Sequence, residues 1–197
     1  MKKLFFVLLL MPCLFNQEIF AIEKRVGSYS VNGTKFGIFA ELDDEELVVG
    51  IEIVSIEPKT KTYPIMTITG SHDLLDFRVV LKIAMEKMID MTQRAKDAEI
   101  YDHTSIIDPG EYTEAIVKIH WKGPNGVKYS SVSKEIPFIY NLKMGEPMIM
   151  SGGNVSHWAD DSITLSWGLG LTSPKEIQVL IDALDEKKIL SQLKSSL

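Results

Sequence analysis

One uninterrupted helical stretch constrains the fold of this chain more than any other feature. From about residue 71 to 98, no glycine or proline interrupts the sequence. Apolar residues recur there at alternating steps of three and four, which places them in one stripe along an α-helix. They are Leu74, Phe77, Leu81, Ala84, Met88, Met91 and Ala95. At about 1.5 Å per residue the helix is roughly 40 Å long, so we expect the rest of the chain to pack around it.

The sequence before this helix is typical of β-strands. Asn32 and Gly33 separate two alternating segments, which is a strong signal for a two-residue hairpin turn. The segment from 47 to 57 carries apolar residues on both faces, which predicts a central strand covered on both sides. Further alternating segments follow the helix. We therefore predict an α+β fold, a mainly antiparallel sheet packed on one long helix, about 71–98, with a C-terminal helix.

The C-terminal helix has a clear start and a predicted break. Ser173, Pro174 and Glu176 form a capping-box pattern with proline at the first helical position. Lys187 and Lys188 fall where the apolar stripe should continue. We therefore expect the helix to break near residue 185 and a last short helix to follow.

The order of elements suggests a duplication within one domain, residues 22–197. About four strands and a helix are followed by about four strands and a helix, with halves near 24–100 and 110–197. In this order the chain resembles the paired ββββα units of the Whirly and PUR families of single-strand-binding proteins. That resemblance implies a nucleic-acid-binding function. The alternative is that an α+β chain of this size gives such an order by chance.

The first residues are typical of a secretory signal peptide. Lys2 and Lys3 precede a short apolar run that ends at Met11, and the run is too short to span a bilayer. We expect cleavage after Ala21, which removes residues 1–21 and sends the protein to the periplasm or outside the cell. Cys13 offers a competing lipoprotein site, which the preceding proline disfavours. Because Cys13 is the single cysteine, cleavage leaves a cysteine-free mature chain without a transmembrane helix.

Composition and motifs narrow the classes of function. The formal net charge is −6, which disfavours binding to nucleic acid or to an anionic membrane, since both are negatively charged. The sequence holds no His-Glu-x-x-His, no phosphate-binding glycine loop and no Gly-x-Ser-x-Gly motif. We therefore predict no cofactor and no metal.

Two candidate sites remain. The 156–161 segment, expected to lie in a loop that starts at Gly152, contains His157, Asp160 and Asp161, residue types that perform acid–base chemistry. The alternative for this segment is a polar loop without a catalytic role. A second apolar row on the long helix has members spaced by four, and a partner, a second copy or the C-terminal helix would cover it. Its members are Leu75, Val79 and Ile83.

The sequence favours an exported, non-catalytic binding or interaction module of unknown ligand, with a protein partner or a second copy. One alternative is a small periplasmic or secreted hydrolase that uses the 156–161 segment. The other is a single-strand nucleic-acid binder built from ββββα repeats.

Overall fold

The computed structural model describes residues 24–55, 63–108, 116–123 and 125–195. The fold is mixed α+β with mostly antiparallel sheets and three helices, which confirms the predicted class. The helices are α1 (Ser71–Asp97), α2 (Pro174–Ala183) and α3 (Glu186–Lys194). The strands are β1 (Lys24–Val31), β2 (Thr34–Asp43), β3 (Glu46–Glu52), β4 (Val54–Ser55), β5 (Ile65–Thr69), β6 (His103–Ile107), β7 (Ile116–Lys122), β8 (Lys128–Ser130), β9 (Lys134–Glu135), β10 (Phe138–Lys143), β11 (Glu146–His157) and β12 (Asp160–Leu171). The predicted signal peptide and Cys13 lie outside the described residues.

The strands form two sheets, whereas the sequence was interpreted as a single sheet. The seven-stranded sheet has the order β1-β2-β3-β5-β7-β8, and β9 also pairs with β7. The five-stranded sheet has the order β4-β12-β11-β10-β6. The continuous strand predicted over 47–57 is wrong, because β3 ends at Glu52 and β4 pairs with β12 in the other sheet. The chain changes sheets at Ile53, whose side chain is buried. Val49 and Ile51 therefore belong to the seven-stranded sheet, whereas Val54 belongs to the five-stranded sheet.

Helix α1 lies between the two sheets. The Phe77 ring is centred 6.1 Å from the Phe138 ring of β10, and the Thr92 hydroxyl lies 3.1 Å from the Tyr140 hydroxyl. On its other side α1 contacts β3 and β5 of the seven-stranded sheet. The predicted stripe is buried except for Met91, which is half-buried. One apolar face of each sheet therefore packs against α1 in a shared core.

The N-terminal hairpin and the C-terminal helices hold each other in place. Asn32 and Gly33 form the predicted turn, with positive φ values of 48° and 80° that an asparagine-glycine pair tolerates well. Ser173 caps α2 by accepting a hydrogen bond from the Glu176 N–H at 3.3 Å. The Glu176 carboxylate accepts from the backbone N–H of Asn32 at 3.0 Å and from that of Thr172 at 2.7 Å. This one carboxylate therefore joins the β1–β2 turn to the start of α2.

The predicted helix break at residue 185 is confirmed. The Asp185 side chain accepts from the Lys188 N–H at 3.1 Å and caps α3. It also forms an ion pair with Arg78 of α1 at 3.2 Å. These hydrogen bonds hold the pKa of Asp185 below its ordinary value: the Lys188 N–H contributes most, and the Arg78 charge adds to it. No helix in the described part of the chain is long and apolar enough to cross a membrane.

Candidate functional site

The predicted 156–161 loop is the end of a long hairpin. Strands β11 and β12 pair from Ile149 to His157, so the loop expected from Gly152 onward is wrong. Gly152 lies opposite Gly168, and a Cβ atom at Gly152 would sit only 2.5 Å from the Trp167 carbonyl oxygen. Glycine is therefore required here for close approach of two strands, which the sequence pattern does not distinguish from a flexible loop.

His157 connects the end of this hairpin to the seven-stranded sheet. It forms an isolated bridge with Ser131, and the neighbouring Trp158 N–H donates to the Ser130 carbonyl at 2.9 Å. The His157 Nδ1 lies 3.1 Å from the Ser130 backbone nitrogen and 2.8 Å from its carbonyl oxygen. In one tautomer Nδ1 accepts from the N–H, and in the other it donates to the carbonyl. The imidazole therefore bonds to backbone, which is a structural role at the junction of the two sheets.

The imidazole of His157 also sits among aromatic rings. Its ring is edge-on to three others, with centroid distances of 6.4 Å to Trp121, 5.3 Å to Tyr129 and 5.6 Å to Trp158. Trp121 is buried, whereas Trp158 is 57% exposed. The tryptophan after the histidine thus points partly to solvent, and the other two rings anchor the imidazole.

The two carboxylates of the segment lie on the opposite side of the turn. Asp160 is paired with His157 across the turn, and Asp161 follows it in β12 with an exposed side chain. The Asp160 carboxylate accepts from the Ser162 hydroxyl at 2.6 Å and from the Ser162 N–H at 2.9 Å. These bonds, with a smaller contribution from the His157 charge, hold the pKa of Asp160 below its ordinary value. The structure thus places His157 opposite Asp160, but the imidazole bonds to the Ser130 backbone whereas the Asp160 carboxylate bonds to Ser162.

A different polar chain, which the sequence reasoning missed, crosses the outer face of the seven-stranded sheet. The His120 Nε2 lies 2.9 Å from the Thr67 hydroxyl, and its Nδ1 lies 2.8 Å from the Ser130 hydroxyl. Thr67 donates to the Lys118 carbonyl at 3.3 Å. Its oxygen is then free to accept from Nε2–H, which leaves Nδ1 to accept from Ser130. These residues lie on β5, β7 and β8, so no sequence spacing links them.

In the tautomer with the proton on Nε2, the Ser130 hydroxyl donates to Nδ1 of the His120 imidazole. The partner on the far side of His120 is the neutral hydroxyl of Thr67, which stabilises an imidazolium less than the carboxylate of a catalytic triad. Ser130 and Thr67 are 7% and 8% exposed. Every buried side-chain nitrogen and oxygen in the described residues has a hydrogen-bond partner. The geometry is that of a satisfied polar network that rigidifies a sheet.

The predicted second row on α1 is only partly covered. Leu75 is 55% exposed, while Val79 and Ile83 are half-buried. Arg78 lies on the same helix face, and its guanidinium donates to the Ile181 carbonyl of α2 at 3.3 Å. Helix α2 therefore lies along this flank of α1, on the side where the sequence predicted a cover.

An apolar row crosses the outer face of the five-stranded sheet. Ile106 of β6 pairs with Ile139 of β10, Ile139 with Met150 of β11, and Met150 with Gly170 of β12. We call these four residues the outer row. Ile106 is 74% exposed, and Ile139 and Met150 are half-buried. Val54, 41% exposed on β4, lies on the same face opposite Gly168.

Two local signals of this face were present in the sequence. Met148 and Met150 alternate in β11, and the glycines at 152, 168 and 170 alternate along the same hairpin. Recognising the face required knowing that 146–157 and 160–171 pair as strands.

Among the described residues, no group of three or more His, Cys, Asp and Glu side chains is placed to hold a metal ion. The chain matches no protein-family model, no curated protein and no solved structure.

Proposed function

We propose that this protein is an exported, non-catalytic binding module whose partner contacts the outer face of the five-stranded sheet. The observation that carries the proposal is the outer row, because it aligns the apolar side chains of Ile106, Ile139 and Met150 across three neighbouring strands and continues onto Gly170 of a fourth. Apolar surface in one contiguous patch is typical of binding sites. A partner that covers the patch gains about 25 cal/mol of binding free energy for each Å² of apolar surface removed from water.

The composition of the face favours a flat apolar protein surface as the ligand. Glycines at 152, 168 and 170 leave the backbone without side chains, so this part of the face has no ridges. Methionine side chains at 148 and 150 are flexible and adapt to an irregular partner. Export through a signal peptide, residues 1–21, remains part of this proposal and would place the partner in the cell envelope or outside the cell.

A pair of matched substitutions tests the proposed face. Met150→Lys places a charge in the outer row, and Thr164→Lys places the same charge on the outer side of β12, near its start. We expect pull-down from the native envelope fraction to lose its captured protein with Met150→Lys and to keep it with Thr164→Lys. Circular dichroism and thermal melts of both variants show whether they fold. Equal capture by two folded variants would refute the face as the binding site.

A hydrolase is the second candidate, favoured by the hydrogen bond between Ser130 and His120. A fluorophosphonate probe tests it directly: an activated serine oxygen forms a bond to phosphorus, fluoride leaves, and the imidazole accepts the hydroxyl proton. We expect no adduct on Ser130. An adduct that disappears in Ser130→Ala would favour the hydrolase. The roles predicted for the 156–161 segment are tested by labelling a variant with His157→Ala, Asp160→Asn and Asp161→Asn with the same probe and comparing it with the wild type.

The duplicated ββββα plan and the nucleic-acid alternative rest on element order alone. The helix predicted over 71–98 would close the first half, and the C-terminal helix the second. Fluorescence anisotropy with a labelled single-stranded oligonucleotide distinguishes this alternative from a protein-binding module. We expect no binding at physiological salt, because the chain carries a net charge of −6.

A further inference from the structure

Strand β6 is a terminal strand of the five-stranded sheet. It pairs with β10 through all five of its residues in a regular register. It ends the five-stranded sheet, and among the described residues no strand pairs with its other edge. Its sequence, His-Thr-Ser-Ile-Ile, contains no lysine, arginine, carboxylate or proline. Edge strands of this kind are templates for pairing with another strand.

The other sheet edges have features that prevent such pairing. Strand β4 has only two residues, and β9 consists of Lys134 and Glu135. Strand β8 has three residues and begins with Lys128. Strand β1 carries Arg25, and its register with β2 shifts between Arg25 and Gly27. Short strands, charged residues and irregular register are the usual protections of an edge, so β6 differs from the other terminal strands of the two sheets that the structure describes.

We propose that two copies of this chain pair through β6, antiparallel and about a two-fold axis at Ile106, so that their five-stranded sheets form one ten-stranded sheet. The occupant of the edge is thus a second copy. This inference is independent of the proposed function, since it concerns the edge of the sheet and not the partner on its face.

Charge and apolar contact select the position of the axis. An axis at Ser105 would place Asp102 of each copy opposite Asp108 of the other, and like charges directly opposite in a sheet are destabilising. An axis at Ile106 instead places Asp108 opposite Thr104. It also sets the 74% exposed Ile106 side chain against its own copy. Ile106 is the end of the outer row, so the two rows become one continuous apolar band.

The contact length indicates a weak, reversible dimer. With the axis at Ile106, residues 104–108 of the two copies lie opposite one another, and five residues at about 3.4 Å each give a paired segment about 17 Å long. A contact of that length buries less than the roughly 1,200 Å² typical of stable complexes. We therefore expect mass to increase with protein concentration and to return to the monomer on dilution.

Disulfide trapping tests the axis, because Cys13 is the single cysteine of the chain. In a Cys13→Ser background, Ile106→Cys places two cysteines opposite each other at the axis. Their Cα atoms then lie within the range of about 4.4–6.8 Å that a disulfide spans. Thr104→Cys places them about 14 Å apart along the strands, which is too far. We expect a covalent dimer only with Ile106→Cys. A dimer with Ser105→Cys but not with Ile106→Cys would refute the axis.

Charge exchange provides a second test that does not depend on cysteine. Ile106→Lys and Ile106→Glu should each abolish the concentration-dependent dimer in sedimentation equilibrium, and a mixture of the two should restore it. Met150→Lys should leave the dimer intact, so loss of partner capture and loss of dimer can be told apart. A wild-type protein that stays monomeric at every concentration and gives no covalent dimer would overturn the proposal.

Discussion

Replacing Gly152 by alanine should destabilise the protein, although alanine is ordinarily preferred to glycine. Alanine restricts the unfolded chain and gains about 0.5–1 kcal/mol when the native backbone accepts it. At Gly152 the added Cβ would lie 2.5 Å from the Trp167 carbonyl oxygen and 3.0 Å from the Gly168 Cα atom. Both are backbone atoms, so β11 and β12 must separate. Such overpacking costs about 1–3 kcal/mol, and we expect a net loss of about 1–2 kcal/mol.

Gly170 is the matched control on the same hairpin. The atom nearest to a Cβ there is the Met148 sulfur at 3.6 Å, an ordinary contact. The entropic term then dominates, and Gly170→Ala should be neutral or stabilising by up to about 1 kcal/mol. Urea and thermal melts of both variants measure the difference. For a chain of this size Gly152→Ala should lower the melting temperature by about 2–8 °C. If it melts at or above Gly170→Ala, the close approach of the two strands does not determine stability.

The remaining predictions concern the core, one cap and one buried hydroxyl. Leu81→Ala should cost about 2–5 kcal/mol in urea melts because Leu81 is fully buried, while Leu75→Ala, at a 55% exposed position, should cost less than about 0.5 kcal/mol. The pKa of Asp185 lies below its ordinary value, chiefly because the carboxylate accepts a hydrogen bond from the Lys188 N–H. The charged carboxylate therefore stabilises the fold at pH values above the ordinary pKa, and this contribution is lost as the pH falls through the lowered pKa. Asp185→Asn should reduce the fall in melting temperature over that acidic range, and an unchanged fall would contradict the assignment. Tyr29→Phe removes a 2.6 Å hydrogen bond to a β3 carbonyl and should cost about 0.5–1.5 kcal/mol, measured by the same melts.

Elements with local signals could be predicted from the sequence. The α1 stripe, the Asn32–Gly33 turn and the Ser173 cap each depend on residues within a few positions of one another. Periodicity, turn conformation and capping are short-range effects, so they survive without knowledge of the partner strands. Alternation along a strand likewise identifies the buried face, on which Trp121 and Trp167 lie.

The sheet arrangement and the polar chain depend on partners distant in sequence. Gly152 indicates a loop when considered alone, and only pairing with β12 makes it part of a strand. The 47–57 segment gives no local sign that the chain leaves one sheet at Ile53 and joins another. Thr67, His120 and Ser130 meet only because three strands align in register. Strand β6 (His103–Ile107) shows little alternation of polar and apolar residues, so the sequence carries no local signal for it.

The carboxylate of Glu176 has a consequence for the order of folding. It bonds to the turn of the first hairpin from the start of α2, and α2 and α3 pack on β1. The first described strand therefore receives its cover from the last helices of the chain. During synthesis β1 and β2 emerge early and cannot complete their packing until residues 174–194 are available. The native fold is thus a property of the finished polypeptide, and a nascent chain stopped before α2 would leave its first hairpin exposed to water, chaperones and proteases.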